Sequence, residues 1–449
     1  MDLLNGKIKT IYLKYLFAAF GSALITSIYG VVDMIMVGQY HGPAGTAALA
    51  IVAPFWNIIY SLGLLIGIGG SILFSSIRGK ENNINESNKY FTLSLYMAIV
   101  ISIVSWILMI FLEEPLLYAF GGNKDLIPLA KRYLIPVKLS VPVFIFTQFL
   151  SSFLRNDNDP LLATIAVILG GVFNIIGDYV FVFTLDLGIL GAGIATVGSA
   201  SISVIVMCFH FFKKNNTLKI VKIDKIFSKI IKIISSGFSP FFVDVSMGIL
   251  TILFNNQIMK YLNNDALSVY GIIINISTFI QCLSYGVGQA SQPIISINYG
   301  ANKYKRIKKM LGYNIITCLI ISVIWLSGIM IVPNGFVKMF MAPTKQVLEI
   351  APKIIRTYAI SFIFLPINVY STYYFQSILK PKLAMVISLL RGLVISGFLI
   401  LFLPFAFNEN SIWLAMPLTE LIVFIIVILF IILANKRLIN TAKKEDRLY

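Results

Sequence analysis

Residues 160–184 read PLLATIAVILGGVFNIIGDYVFVFT, a run in which Asp178 is the one charge. A helix needs roughly 20 mostly apolar residues to cross the hydrocarbon of a bilayer. This stretch therefore predicts a transmembrane helix, and the absence of short alternating segments argues against a barrel. Working outward, eleven further stretches have the same character: 11–38, 46–77, 90–112, 127–154, 188–212, 229–260, 266–299, 309–332, 347–378, 383–406 and 411–434. Composition points the same way. Of 449 residues, 58% are hydrophobic and 12% charged, about half the charged fraction of a soluble domain. Mean hydropathy is +0.87. Such a chain cannot cover an aqueous surface with polar groups, which excludes two or three soluble domains. The expected fold is an all-α integral membrane protein of twelve helices. Lys7, Lys9 and Lys14 precede the first apolar run as in a signal peptide, but that run continues through Asp33 to Gly38, so the segment is expected to be retained.

Lys and Arg number 36 against 19 Asp and Glu, a net charge of +17. In a soluble protein this would suggest nucleic acid. Here the apolar runs separate the basic residues, so the charge reads as topology and no nucleic-acid partner is expected. Alternate loops collect 26 of the 36: Lys7–Lys14, Arg78–Lys89, Arg155, Lys213–Lys232, Lys303–Lys309, Lys380–Lys382 and Lys436–Arg447. The other side carries Glu113, Glu114 and Asp125. The bias predicts a multi-pass protein of the cell (inner) membrane with both termini in the cytoplasm. Cys208, Cys282 and Cys318 lie in apolar segments without metal spacing, so neither disulfide nor zinc is expected. His41 and His210 are the only histidines. No zinc-binding helix motif, nucleophile elbow or phosphate-gripping glycine loop occurs, which argues against an enzyme and against a cofactor. A passive channel conflicts with the lack of a ring-like filter sequence.

Three landmarks recur 221 positions apart, each at a span boundary: Gly79 and Gly300, Lys124 and Lys345, Pro160 and Pro381. Their common spacing argues for a six-plus-six duplication. An even number of spans per half gives both halves the same direction, related by a pseudo-two-fold axis along the membrane normal, as in one class of transporters. The expected organisation is an N-terminal bundle over 1–212, a cytoplasmic linker over 213–228 and a C-terminal bundle over 229–449. Rocking of two such bundles suits transport by alternating access, with a small-molecule substrate and the bilayer as partners. The basic linker is read as solvated rather than as a lipid-binding patch.

A charge at bilayer depth costs at least about 2.5–3.5 kcal/mol, so each one asks for a reason. The acids are Asp33, Asp178, Asp244 and Glu420; the bases are Lys138 and Arg391. Tyr29 lies one turn before Asp33, and Asn174 one turn before Asp178, so each pair shares a helix face. The 221 offset replaces Asp33, Asn174 and Asp178 by Phe254, Ile395 and Leu399. The two halves thus differ where charge matters: a paired-acid site is expected in the first half. Desolvation penalises the charged form of a carboxyl, which favours uptake of a proton, and the same cluster of hard oxygens suits sodium. Small-residue ridges (Gly188, Ala192, Thr196, Ala200; Gly191, Ala195, Ser199, Ser203; Gly63, Gly67, Ser71, Ser75) let helices approach closely and slide.

Several segments carry a resemblance over almost the full chain. They are 33–38 (DMIMVG) with 47–50 (AALA), 174–181 (NIIGDYVF), 188–196 (GILGAGIAT), 375–378 (FQSI) leading to Lys380-Pro381, and 412–415 (IWLA) with Pro417 and Glu420. In this order the chain resembles the multidrug and toxic compound extrusion (MATE) transporters. The resemblance implies a cation-coupling site of Asp33, Asn174, Asp178 and Thr196 with Tyr29 nearby, binding H+ or, as a metal, Na+. Some branches of that family carry a glutamate in span seven. Here Asp244 lies about a turn earlier and Gly248 takes the matching place, which with the repeat comparison argues against a second-half cation site. The implied activity is export of amphipathic, often cationic compounds by a monomer in exchange for H+ or Na+. Met34, Met36, Asn57, Gln148, Asp244, Gln281, Gln289 and Phe375 are candidate liners of a substrate cavity. A lipid-linked oligosaccharide flippase of the same superfamily is the nearest rival. It should carry several deep basic residues for pyrophosphate, whereas only Lys138 and Arg391 are present.

Overall fold

A computed structural model describes residues 2–81, 83–120, 122, 124–340 and 343–445; Arg447 of the basic tail lies outside them. Eleven helices are long and apolar enough to cross a membrane. They are α1 (Ile8–Gly42), α2 (Ala44–Lys80), α3 (Ile84–Ala119), α5 (Pro160–Thr184), α6 (Ile189–Phe212), α7 (Ile226–Tyr261), α8 (Asp265–Gly300), α9 (Tyr304–Ile331), α10 (Lys345–Ser377), α11 (Pro381–Ala406) and α12 (Glu409–Ala434). The remaining span, α4, is a pair of helices, Ile127–Leu139 and Val141–Asn156, bent by 58°. The bend falls where Pro136 and Pro142 each remove a backbone donor from the helical ladder. All twelve expected spans are present, and no strand occurs among the described residues. The molecule is a multi-pass membrane protein.

α1 and α2 run on with a single break at Gly42, whose φ of 63° and ψ of −152° suit a residue without a β-carbon. Just before it, His41 Nε2 accepts from the Ile189 amide at 3.1 Å and so satisfies one free donor at the start of α6. Gly188, with φ +57°, makes room: a β-carbon there would stand 2.6 Å from that imidazole nitrogen.

Two compact units divide the chain, Leu13–Phe241 and Asp2–Tyr12 with the chain from Phe242 on. The boundary falls inside α7, later than the expected linker at 213–228. The cause is steric: β-carbons on Gly69 and Gly237 would lie 2.1 Å from the Ile233 oxygen and 1.8 Å from the Leu65 oxygen, so the first part of α7 packs flush on α2. Asp2–Tyr12 groups with the second unit. Asn298 Nδ2 donates to the Leu3 oxygen at 3.0 Å and Arg306 Nη2 to the Gly6 oxygen at 2.9 Å.

The segment after α6 exposes Lys213, Lys214, Lys219, Lys222 and Lys225, while its backbone is strapped down. Asn88 Nδ2 donates to the Thr217 oxygen at 2.9 Å, and the Lys219 and Val221 amides donate to Asn88 Oδ1 at 3.1 Å and Thr92 Oγ1 at 3.0 Å. Beneath it, the fully buried His210 ring lies between Asp157 (Oδ2, 2.8 Å) and Asp159 (Oδ2, 2.9 Å). Arg78 donates to Asp157 at 2.7 Å, Lys213 to Asp159 at 2.7 Å, and the Thr217 side chain also reaches Asp157.

Candidate functional site

The first unit builds its site by close helix approach. A β-carbon on Gly171 of α5 would lie 2.5 Å from Ile25 Cγ1 of α1, and one on Gly170 would lie 2.6 Å from the Ser199 oxygen of α6. Gly193 of α6 faces the Tyr133 oxygen of α4 at 2.5 Å on the same measure. α6 therefore meets both α5 and α4 backbone to backbone, while α1 rests its Ile25 and Tyr29 side chains on α5 at the level of Gly171. The small-residue ridges read from the sequence supply this contact, and Gly63 and Gly67 do likewise between α2 and Gln148 of α4.

At that level the polar groups converge. Tyr133 OH donates to Asp33 Oδ2 at 3.4 Å and lies 3.4 Å from Thr196 Oγ1; Asn174 Nδ2 donates to the same Thr196 oxygen at 3.4 Å. Thr196 in turn donates to the Ala192 oxygen at 3.0 Å. Asp178 is fully buried and lies within electrostatic reach of Asp33. Directly after it α5 widens into a π-helical turn over Tyr179–Thr184, a distortion frequent at functional sites. Tyr29 packs on α5, its ring 3.3 Å from the β-carbon position of Gly171.

Both oxygens of Asp178, Oδ1 of Asp33 and Oδ1 of Asn174 are buried without a hydrogen-bond partner. Neither aspartate has an ion pair among the described residues. Buried polar atoms are nearly always paired, and unpaired carboxylate and amide oxygens of this kind suit a hard monovalent cation or a proton. No group of three or more His, Cys, Asp and Glu suited to a metal ion occurs among the described residues, so any ion held here would rest on two carboxylates with amide and hydroxyl oxygens.

The candidate cavity liners differ in burial within their own units. Met34 is half-exposed on α1, while Phe375 is fully buried, edge-on to Tyr374 and Phe430 at 5.5 and 6.3 Å. Phe375 is therefore packing in this structure: aromatic neighbours on both sides leave it no open face. Gln281 lines a cavity of about 70 Å³ in the second unit, with Arg391, Tyr270 and Met416. It is joined to Asp244 through Tyr285, since Gln281 Nε2 donates to Tyr285 OH at 2.6 Å and Tyr285 donates to Asp244 Oδ1 at 3.2 Å. Asn57 is exposed, and Met36, Gln148 and Gln289 are partly buried.

The two deep bases have acid partners: Lys138 Nζ meets Glu113 at 2.7 Å, and Arg391 Nε meets Glu420 at 2.7 Å. The residue that sequence reasoning missed is Tyr133. A tyrosine in an apolar span carries no charge penalty and gave no signal.

The MatE family matches residues 18–180 and again 240–402. The chain belongs to the MatE family. The two matches start 222 positions apart, at 18 and 240, one more than the landmark spacing of 221. Asp33, Tyr133, Asn174 and Asp178 of this MatE chain fall in the first match, and Asp244, Gln281 and Arg391 in the second. It is 24% identical over 301 residues to the multidrug export protein MepA of Staphylococcus saprophyticus, covering 67% of this chain and 66% of that protein, just under two thirds. It is 24% identical over 377 residues to MepA of Staphylococcus aureus strain NCTC 8325 / PS 47, covering 83% and 82%. Among solved structures it superposes on MATE in the straight conformation with a TM-score of 0.90, at 19% identity over 98% of both chains. An outward-facing multidrug resistance MATE family transporter of the MOP superfamily gives 0.89, at 18% identity over 98% of both. These likenesses fix the fold: a membrane transporter architecture of twelve spans.

Proposed function

We propose that this MatE protein is a secondary active antiporter of the cell membrane. It exports amphipathic, often cationic organic compounds in exchange for H+ or Na+ by alternating access. The observation that carries the reading is the set of four buried, unpartnered oxygens on Asp33, Asn174 and Asp178. Two carboxylates held close in a low-dielectric interior repel one another and lack counter-charge, so uptake of a cation relieves both penalties. Asn174, Thr196 and Tyr133 complete the oxygen set, and Tyr29 closes it on α1. Neutralisation removes the repulsion between α1 and α5, and the glycine contacts beside them let the helices reseat. The export activity named for the MepA relatives supports the substrate class. The proposed organisation is two duplicated bundles, 1–212 and 229–449, joined by 213–228, in a monomer with both termini cytoplasmic.

One inward proton releases about 2.3 kcal/mol per 100 mV and about 1.4 kcal/mol per pH unit. About 4 kcal/mol sustains a roughly thousandfold gradient of a neutral compound. A flippase for pyrophosphate-linked lipids is disfavoured because Lys138 and Arg391 are both engaged by acids. Uptake of an ethidium-like dye by everted vesicles tests the reading. Transport that persists unchanged in both Asp33→Asn and Asp178→Asn refutes it, and substrate-evoked proton release against sodium dependence in proteoliposomes assigns the ion.

A further inference from the structure

The second unit also buries an acid at depth, and there the acid is already neutralised. Glu420 of α12 is fully buried, and both of its carboxylate oxygens are taken: Oε1 by Arg391 Nε at 2.7 Å, Oε2 by Asn368 Nδ2 at 2.6 Å. Asn368 also donates to the Glu420 backbone oxygen at 2.8 Å. Arg391 Nη2 reaches Gln281 Oε1 at 3.4 Å, and Gln281 leads on through Tyr285 to Asp244. Tyr358 of α10 lies within electrostatic reach of both charges. Arg391 comes from a π-helical turn, Leu390–Val394, which α11 presses on α7: a β-carbon on Gly392 would lie 2.4 Å from Ser246 Oγ.

We infer that Arg391 is a built-in counter-cation that holds Glu420 out of ion exchange, so that Glu420 adds no ion to the coupling stoichiometry. The inference rests on the antiport reading for its consequence, though not for its test. A guanidinium does not lose its proton at any physiological pH, and the side chain cannot dissociate from the chain. Glu420 therefore has a cation that never leaves, whereas Asp33 and Asp178 have no counter-cation among the described residues. Removal of Arg391 leaves a buried, uncompensated carboxylate that must recruit a proton or a sodium ion.

The test is made on purified Asp33→Asn/Asp178→Asn protein, so the first-half site is silent whatever its role. Infrared spectra in sodium-free buffer should show one additional protonated buried carboxyl in Arg391→Met. The band should be missing from Arg391→Lys and from Arg391→Met/Glu420→Gln. Loss of the band on adding Na+ also supports the proposal, showing sodium at the vacated position. An Arg391→Met protein with neither the band nor any sodium-dependent change overturns it. If Arg391→Met is too unstable to purify, thermal stability is read in membranes. Stabilisation by acid or Na+ that is lost in Arg391→Met/Glu420→Gln supports the proposal, and indifference to both cations overturns it. Normal transport by the Asp33→Asn/Asp178→Asn parent would sink the antiport site while leaving this result to stand on the Glu420 band.

Discussion

Tyr133 on α4 donates to Asp33 on α1 at 3.4 Å, and the same hydroxyl lies 3.4 Å from Thr196 on α6. One side chain thus ties three helices around the acids. A hydrogen bond to a charged group contributes about 1.5–3 kcal/mol, and at this length the lower end applies. Tyr133→Phe should slow dye uptake by everted vesicles about tenfold while expression and folding hold. Wild-type uptake in that variant would remove Tyr133 from the site.

Asp178 carries two buried oxygens with no partner, a local cost kept for function. Asp178→Asn removes a buried charge that nothing compensates, worth about 1–3 kcal/mol of desolvation. The purified variant should melt at a higher temperature than the parent and yet lose cation-driven transport. A lower melting temperature would mean that Asp178 is structurally satisfied.

Gly193→Ala places a methyl 2.5 Å from the Tyr133 oxygen, so α4 must move off α6. Overpacking of this kind costs about 1–3 kcal/mol. Transport should fall at least severalfold because Tyr133 leaves Thr196. Gly248→Ala is the matched control: nothing lies within 4 Å of its β-carbon position. That variant should be as active as the parent and equally or more stable, as melting curves and dye uptake together will show.

The junction around His210 predicts an acid limit. Burial pushes the Asp157 carboxyl up, but hydrogen bonds from His210 and Thr217 and the Arg78 charge outweigh it and hold it below the ordinary 3.8. Asp159 is held down likewise, burial being overcome by His210 and Lys213. Depressed carboxyls stabilise the fold above their unfolded value near 3.9, and that stability is lost as pH falls through the lower folded value. Thermal stability should therefore drop below about pH 4. Asp157→Asn should cost about 3–5 kcal/mol at neutral pH and flatten the acid limb, because Arg78 loses its buried partner.

The strap over 217–221 depends on two side chains of α3. Asn88→Ala with Thr92→Val should free it, and limited trypsin digestion should then cut after Lys219 or Lys222 at least about ten times faster, as in loops that lose their backbone bonds. Unchanged cleavage would show that the buried Leu218 and the Thr217 bonds to Asp157 hold the strap without them.

The sequence located the acids and left their neighbours open. Asp33, Asn174 and Asp178 stood out because charge and amide groups in apolar runs are costly, and the 221 offset showed that the other half lacks them. Tyr133 and the partner of Arg391 were not legible. A tyrosine pays no such penalty, and the bond that Arg391 donates to Glu420 joins different helices, 29 positions apart. The strap was hidden for a related reason: the lysines of 213–228 read as solvated and are exposed, while the bonds from Asn88 and Thr92 to its backbone join residues far apart in sequence.

Hydropathy and spacing by themselves determined twelve crossings and a duplicated plan, because both follow from local composition and the fixed thickness of a bilayer. Which polar groups meet was decided only by tertiary structure. Glycine contacts at Gly170 and Gly193 draw α5, α6 and α4 to backbone distance, Gly171 seats α1 side chains on α5, and Tyr133 thereby reaches Asp33 and Thr196, while Gly392 brings α11 onto α7 beside the Arg391–Glu420 pair. Contact between distant spans depends on how their surfaces fit, and no single stretch of chain contains that information.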